Sequence, residues 1–376
     1  MARRHPMQDM LRPLLLPVSA LYGWGGRLKR SLYRSAPSMA WAPRAFCVSV
    51  GNISWGGTGK TPVVVWLLSW CAAHGQKAAV LTRGYRAHPP QTPFFVRPDG
   101  LPEQCGDEPL MLGQRHPDAL IAVDHRRARA GRMLESTAMP DIFILDDGFQ
   151  HLAVRRDADL VLLDSDDLRI KAGKGSTPSN WNMVLPAGTW REPASALSDA
   201  SAFLVKTDEE EWPSLIPAIA ARIRDVPRPV FAFRMKPEGL RPLAGAPAAA
   251  PAELGRYVLA TGIGKPEQAL VTASECMGRM PEQALEFPDH FDFQKARTDL
   301  ERPGLPLVCT GKDAVKIARL GLSVPCYAMD ATADFFAALP PTGGEDASLS
   351  FSSWWERLFT TRSQRDPVSY TDKHPA

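Results

Sequence analysis

Residues 51–62 read GNISWGGTGKTP and gather the groups best suited to chemistry. Lys60 brings a cation and Thr61 a hydroxyl. Gly56, Gly57 and Gly59 let backbone N–H groups converge on an anion without Cβ clashes. Ser54, Trp55, Gly56, Gly57, Thr58, Gly59, Lys60 and Thr61 are therefore expected to hold the phosphates of ATP. Lys60 would reach the β- and γ-phosphates, and the Thr61 hydroxyl would take one Mg2+ position. In GxxxxGK[ST] the first glycine falls at position 54, where this chain has Ser54. The bland alternative is an ordinary glycine turn with an incidental lysine. A second group, Asp146-Asp147-Gly148-Phe149-Gln150-His151, closes the apolar run 141–145. A carboxylate at the C-terminal end of a central strand stands beside a P-loop and can hold Mg2+, usually through water. Acids and glycine also favour turns whatever the function.

Such residues need a strand before the loop and a helix behind it. Residues 46–50 read as a buried strand and 63–73 as an apolar helix, whose N-terminus adds partial positive charge. Further strands are expected at 78–82, 119–123, 141–145, 160–164 and 202–205, with helices between several of them. This alternation predicts an α/β fold, a P-loop NTPase-like and mostly parallel sheet with helices on both faces. Ligands gather at the strand ends of such sheets. The expected P-loop domain spans 35–228. A linker over 229–256 contains the stretch PLAGAPAAAPA. A smaller C-terminal α/β domain across a cleft is expected over 257–345. Residues 346–376 read as a tail, partly disordered, with one short helix around Trp354 and Trp355, free or docked. Residues 166–182 read as a loop.

The chain has 376 residues, enough for two domains, and 44% apolar with 23% charged residues is ordinary for a globular protein. A net charge of +3 is too small to argue for nucleic acid. Cysteines at 47, 71, 105, 276, 309 and 326 form no CxxC pair, which suggests a reducing compartment and neither a disulfide framework nor zinc. Residues 1–34 carry Arg3, Arg4, Arg12, Arg27, Lys29, Arg30 and Arg34 against the single acid Asp9. The apolar run 14–22 is about half of the ~20 residues a spanning helix needs. With its basic flanks and Trp24, the segment fits a helix lying in a membrane interface. The alternative is a first helix packed on its own domain with a solvated basic face.

Several separated motifs resemble one family, the tetraacyldisaccharide 4'-kinases of Gram-negative bacteria. They are GNISWGGTGKTP (51–62), TRGY (82–85), GDEP (106–109), DDGFQH (146–151), LPAG with REP (185–193), GIGKPE (262–267), FPDH (287–290) and TGKDAVK (310–316), covering roughly residues 15–335. Ser54 fits too, since that family's loop typically lacks the first glycine. The resemblance implies a kinase that phosphorylates the 4'-hydroxyl of a tetraacyldisaccharide 1-phosphate with MgATP. It implies Asp146 as a metal partner alongside Thr61, and Asp107 working with His290 to prepare the sugar hydroxyl. It places Asp147 and Lys60 in the catalytic set, with Arg83, Gln150, His151, Arg191 and Glu192 near substrate. It further implies a monomer, without nucleic-acid partners, docked on the cytoplasmic face of the inner membrane. The turn 310–313 departs from the pattern, with Gly311 where the family commonly has an acid. The chemistry is coherent: a sugar hydroxyl is a poor nucleophile while protonated, so a His polarised by a carboxylate is a sensible base. A competing reading is a P-loop NTPase switch or metallochaperone-like GTPase, which should carry NKxD; TGKD lacks the Asn. A third is a non-catalytic membrane-binding protein on a decayed P-loop fold, against which Lys60, Thr61, Asp107, Asp146 and His290 argue.

Overall fold

The computed structural model describes residues 6–169, 181–341 and 350–363. Its strands are β1 (Phe46–Asn52), β2 (Ala78–Thr82), β3 (Phe94–Phe95), β4 (Leu120–Val123), β5 (Ile142–Asp146), β6 (Ala158–Leu163), β7 (Ala202–Lys206), β8 (Val230–Leu243), β9 (Val258–Thr261), β10 (Gln283–Glu286), β11 (Leu307–Thr310) and β12 (Cys326–Leu339). The helices are α1 (Pro6–Ser35), α2 (Lys60–Ala73), α3 (Pro102–Cys105), α4 (Asp107–Arg115), α5 (Arg127–Thr137), α6 (Ser165–Leu168), α7 (Trp212–Arg222), α8 (Pro266–Met277), α9 (Arg297–Glu301), α10 (Gly311–Ile317) and α11 (Phe351–Ser363). Among the described residues the strands form one sheet, ordered β10-β9-β11-β12-β8-β7-β6-β1-β5-β2-β4-β3. Pairing is parallel except for β3 on β4 and β8 on β12. The mostly parallel α/β fold expected from the sequence is thus present.

β1 is buried along its whole length, as a continuous apolar run in a parallel sheet requires. It lies between β5 and β6, so both candidate motifs end on neighbouring strands. α2 covers one face of the sheet together with α4. The other face carries α5, with Leu134 beside Trp41 and Phe143, and α7, with Leu215 and Ile219. α2 is apolar nearly all round because α11 covers its outer side. There Trp355 meets Trp70 and Phe46 edge-on, with ring centroids 5.7 Å apart in each pair. The short helix expected near Trp354 is therefore docked. The expected disorder of the last dozen residues, and most of the loop expected over 166–182, lie outside the described residues.

The second half continues the same sheet. β8 starts beside β7 and β12 starts beside β11, and the two pair antiparallel from Val230↔Leu339 to Leu243↔Cys326. Residues 230–243, expected as the start of a linker, are one side of this ribbon. Register shifts at Asp330/Ala331 and Phe335/Ala337 let it bend between the halves.

α1 presents a narrow face to the body. Ser19, Gly23 and Arg30 are its buried residues among those described, spaced as one stripe of a helix. The Ser19 hydroxyl accepts from the Ala187 N–H at 2.8 Å. A Cβ on Gly23 would lie 3.2 Å from the Pro193 ring. The large apolar side chains point elsewhere: Leu14 is 75% exposed, Leu21 68% and Trp24 56%. No helix among the described residues is long and apolar enough to cross a membrane.

Candidate active site

The phosphate loop leaves β1 at Asn52 and enters α2 at Lys60. Gly59 caps the helix with φ +90°, a left-handed conformation suited to glycine. Ser54 forms an isolated bridge with Trp190, and its φ is not positive, so this position needs no glycine. Trp55 is 63% exposed at the loop's crown. Lys60 Nζ lies 3.4 Å from Asn52 Oδ1 and 3.4 Å from Asp147 Oδ1. The Thr61 hydroxyl donates to Glu108 Oε2 at 3.4 Å.

Asp146 ends β5 one strand away, and its Oδ2 accepts from the Thr82 hydroxyl at 2.9 Å. Burial, then the charges of Glu108 and Asp147, push its carboxyl up to about 6. Asp147 follows with φ 50°. Its two carboxylate oxygens accept from Arg191 Nη1 at 2.9 and 2.8 Å. Its carbonyl accepts from Arg127 Nη1 at 3.1 Å. Burial raises the Asp147 carboxyl, but Lys60 and Arg191 outweigh that and hold it below the ordinary range. The turn after it lies directly on β1. A Cβ on Gly51 would stand 2.6 Å from Phe149 Cβ, so only glycine lets the turn approach.

The expected substrate residues divide. Gln150 Nε2 donates to the Asn52 carbonyl at 2.9 Å, and its Oε1 accepts from Arg191 at 3.4 Å. His151 sits below them; burial, then Arg127 and Arg156, push its imidazole down to about 4. Arg83 is exposed beyond β2, on a cavity of about 350 Å³ shared with His88, Asp124 and His125. Glu192 turns away from the cleft. It accepts from Arg30 at 3.0 and 2.5 Å and is buried, so it anchors α1. Arg30 also donates to Asp199 and to the Phe149 carbonyl.

Asp107 and His290 meet across the two halves, with Oδ2 3.0 Å from Nδ1. Asp107 is the first residue of α4. His290 stands in a turn with φ 64°, its ring 5.5 Å from that of Tyr85. Lys316 Nζ donates to the same Asp107 oxygen at 3.1 Å. Lys312 Nζ donates to Asp289 Oδ1 at 2.7 Å and lies 3.5 Å from His290 Nε2. These two lysines and Arg127 were missed as site residues. The lysines are four apart on α10, so they share one face. Gly311 is tightly held: a Cβ there would lie 3.1 Å from Met111 Sδ and 3.2 Å from Asp330 Oδ1. An acid at this position would face Asp330. The TGKD turn caps α10, with Asp313 Oδ2 accepting from the Gly262 N–H at 2.9 Å.

The oxygen donors Thr61, Asp146 and Glu108 suit a hard cation such as Mg2+. Asp146 stands among carboxylates whose crowding raises its pKa, a strain that a dication would relieve. Among the described residues no cluster of three His, Cys, Asp or Glu forms an all-protein metal cage. Mg2+ does not require one, since it usually takes one or two carboxylates and completes its shell with water and phosphates.

Residues 11–339 match the family model described as tetraacyldisaccharide-1-P 4'-kinase. A protein named tetraacyldisaccharide 4'-kinase from Oleidesulfovibrio alaskensis is 44% identical over 361 residues, covering 93% of this chain and 96% of the relative. Its namesake from Nitratidesulfovibrio vulgaris is 43% identical, covering 93% and 95%. A solved structure described as LpxK from Aquifex aeolicus in complex with ATP superimposes with TM-score 0.67 at 22% identity, covering 93% of this chain and 99% of that one, which supports the fold. With the whole motif series inside the matched region, this chain belongs to the tetraacyldisaccharide-1-P 4'-kinase family.

Proposed function

We propose that the protein transfers the γ-phosphate of ATP to the 4'-hydroxyl of a tetraacyldisaccharide 1-phosphate, giving lipid IVA, at the cytoplasmic face of the inner membrane. The contact between Asp107 and His290, formed beside the phosphate loop, carries this reading. Asp107 accepts from Nδ1 and so fixes the tautomer with Nε2 unprotonated; Lys312, 3.5 Å from Nε2, would give way to the hydroxyl whose proton Nε2 takes. Lys316 donates to the same Asp107 oxygen and holds the carboxylate in place for that task. Lys60 neutralises charge that builds on the transferred phosphoryl group. Arg191 and Arg127 hold Asp147 and its turn at the edge of the phosphate site. Mg2+ would be held by Thr61 and Asp146, with Glu108 close by, and would supply charge neutralisation between β- and γ-phosphates.

ATP has a natural seat. A cavity of about 200 Å³ opens beside the loop, lined by Thr61, Val65, Met111, Met235, Gln268 and Met329. Val65, Met111, Met235 and Met329 give it apolar walls that suit a purine base, with Glu108, Lys206, Lys312 and Asp330 also on its lining. The lipid's acyl chains would meet the exposed apolar side of α1, whose buried stripe is small and polar. Basic side chains such as Arg27 stand exposed there, favouring an anionic membrane surface.

The test is transfer of ³²P from γ-labelled ATP to the disaccharide 1-phosphate lipid in detergent micelles. Wild type should label the lipid, Lys60→Ala should abolish labelling, and His290→Ala should reduce it strongly. Nucleotide hydrolysis dependent on Lys60 without lipid labelling would instead favour a switch NTPase.

A further inference from the structure

Three lysines of the cleft are matched with carboxylates. Lys60 has Asp147, Lys312 has Asp289 and Lys316 has Asp107. Lys206, the last residue of β7, donates at 2.8 Å to the neutral amide oxygen of Gln268 on α8. Among the described residues none forms an ion pair with it. Burial, and then the like charge of Lys265, push its ammonium down to about 8, while Asp164 opposes them. A desolvated cation facing a neutral partner is costly to the fold. Its place explains what the cost could serve. The side chain runs over the phosphate loop, with Cδ 3.2 Å from where a Cβ on Gly59 would stand. It also lines the cavity that Thr61 and Gln268 share.

We infer that Lys206 is a further nucleotide-binding residue, whose ammonium turns from Gln268 onto the phosphate chain of ATP seated on loop 54–61. This rests on the ATP reading above. A polyphosphate supplies the charge partner that the protein withholds, and charge-assisted bonds of this kind are the strong ones. Because Lys206 touches both the loop and α8, it also carries nucleotide binding towards the half that supplies His290.

The experiment compares wild type, Lys206→Met and Lys206→Gln in the full chain. MgATP and adenosine binding are measured by calorimetry, and melting temperature is measured without nucleotide. Lys206→Met should weaken MgATP roughly tenfold or more, with adenosine changed by less than about threefold. Its melting temperature should be equal to or above wild type, since a desolvated charge has been removed. Lys206→Gln keeps a hydrogen-bonding group for Gln268 and loses the charge, so it should lose MgATP affinity to the same degree. Should the Met variant fail to fold, the Gln variant decides. Wild-type MgATP affinity in Lys206→Gln overturns the inference, and so does an equal loss for adenosine and ATP. A lowered melting temperature with intact affinity marks Lys206 as a brace between the halves and also overturns it. A wild-type chain that binds no MgATP would sink the ATP reading itself.

Discussion

At the scale of single residues, the site works by crowding charge and then matching it. Asp146 shows the crowding. Its folded carboxyl, pushed up to about 6 by burial, Glu108 and Asp147, lies above the ordinary value of 3.8. A raised carboxyl binds its proton more tightly folded than unfolded. Its ionisation therefore costs stability, a cost absent below about pH 4 and fully present above about pH 6. In EDTA-treated protein at pH 8, Asp146→Asn should be more stable than wild type by on the order of 2 kcal/mol. Thermal melts from pH 8 down to pH 4 should show that gain vanish, and a constant gain would mean that ionisation is not its source. Lys60, Thr61 and Asp146 could be picked out from the loop and strand-end pattern, whereas Asp107 and His290 came only from the resemblance, since an isolated Asp or His carries no such local signal. Glu192 was read as a site residue because it follows Arg191 in REP, but one residue along the chain points the carboxylate to Arg30 instead. Lys206 carried no local signal, since its meaning comes from Gly59 and Gln268, far away in sequence.

At the scale of elements, α1 gives each face a separate task. The Ser19, Gly23 and Arg30 stripe packs on the body, and Leu14, Leu21 and Trp24 do not. The expectation of a helix packed on its own domain describes one face of this element; the proposed membrane contact concerns the other, which is exposed and apolar. Replacing Leu14 and Leu21 with Glu should remove apolar area from the exposed face while sparing the packed one. Co-sedimentation with anionic vesicles should drop at least roughly tenfold, because each buried apolar side chain contributes about 1.5–3 kcal/mol. The melting temperature should stay within a degree or two of wild type, the usual outcome for exposed positions. Undiminished vesicle binding would show that the membrane is met elsewhere. Glu192→Gln probes the other face. It removes one of two carboxylates from a buried guanidinium and should cost roughly 3 kcal/mol, read from denaturant unfolding. β1, β2 and β4 to β7 were legible because continuous apolar runs alternate with helical stretches, whereas the two-residue β3 lies in a proline-rich stretch with no such run. β8 and β12 were not read as a ribbon. β8 contains Pro237 and Pro242, and β12 mixes alanines with Asp330 and Asp334, so neither shows a clean two-residue period.

At the scale of the whole molecule, the sheet is continuous but the chemistry is split. The half enclosed between the two ribbon strands in sequence brings His290, Lys312 and Lys316 to the loop, and the first half brings Asp107 and Glu108. The dyad therefore exists only while the halves stay together, held by α10 against α4 and by the β8–β12 pair. If Asp107 acts through His290, removing either should disable the same proton transfer. Asp107→Asn and His290→Ala should each lower kcat about a hundredfold or more, the usual yield of a general base. The double variant should fall no more than about threefold below the weaker single, because residues acting as one unit are not additive. KM for ATP should stay near wild type in all three, since the phosphate loop and its cavity are untouched. If the two losses multiply instead, Asp107 and His290 serve separate steps. The 3.0 Å contact would then be an interface between the halves rather than their shared catalytic device.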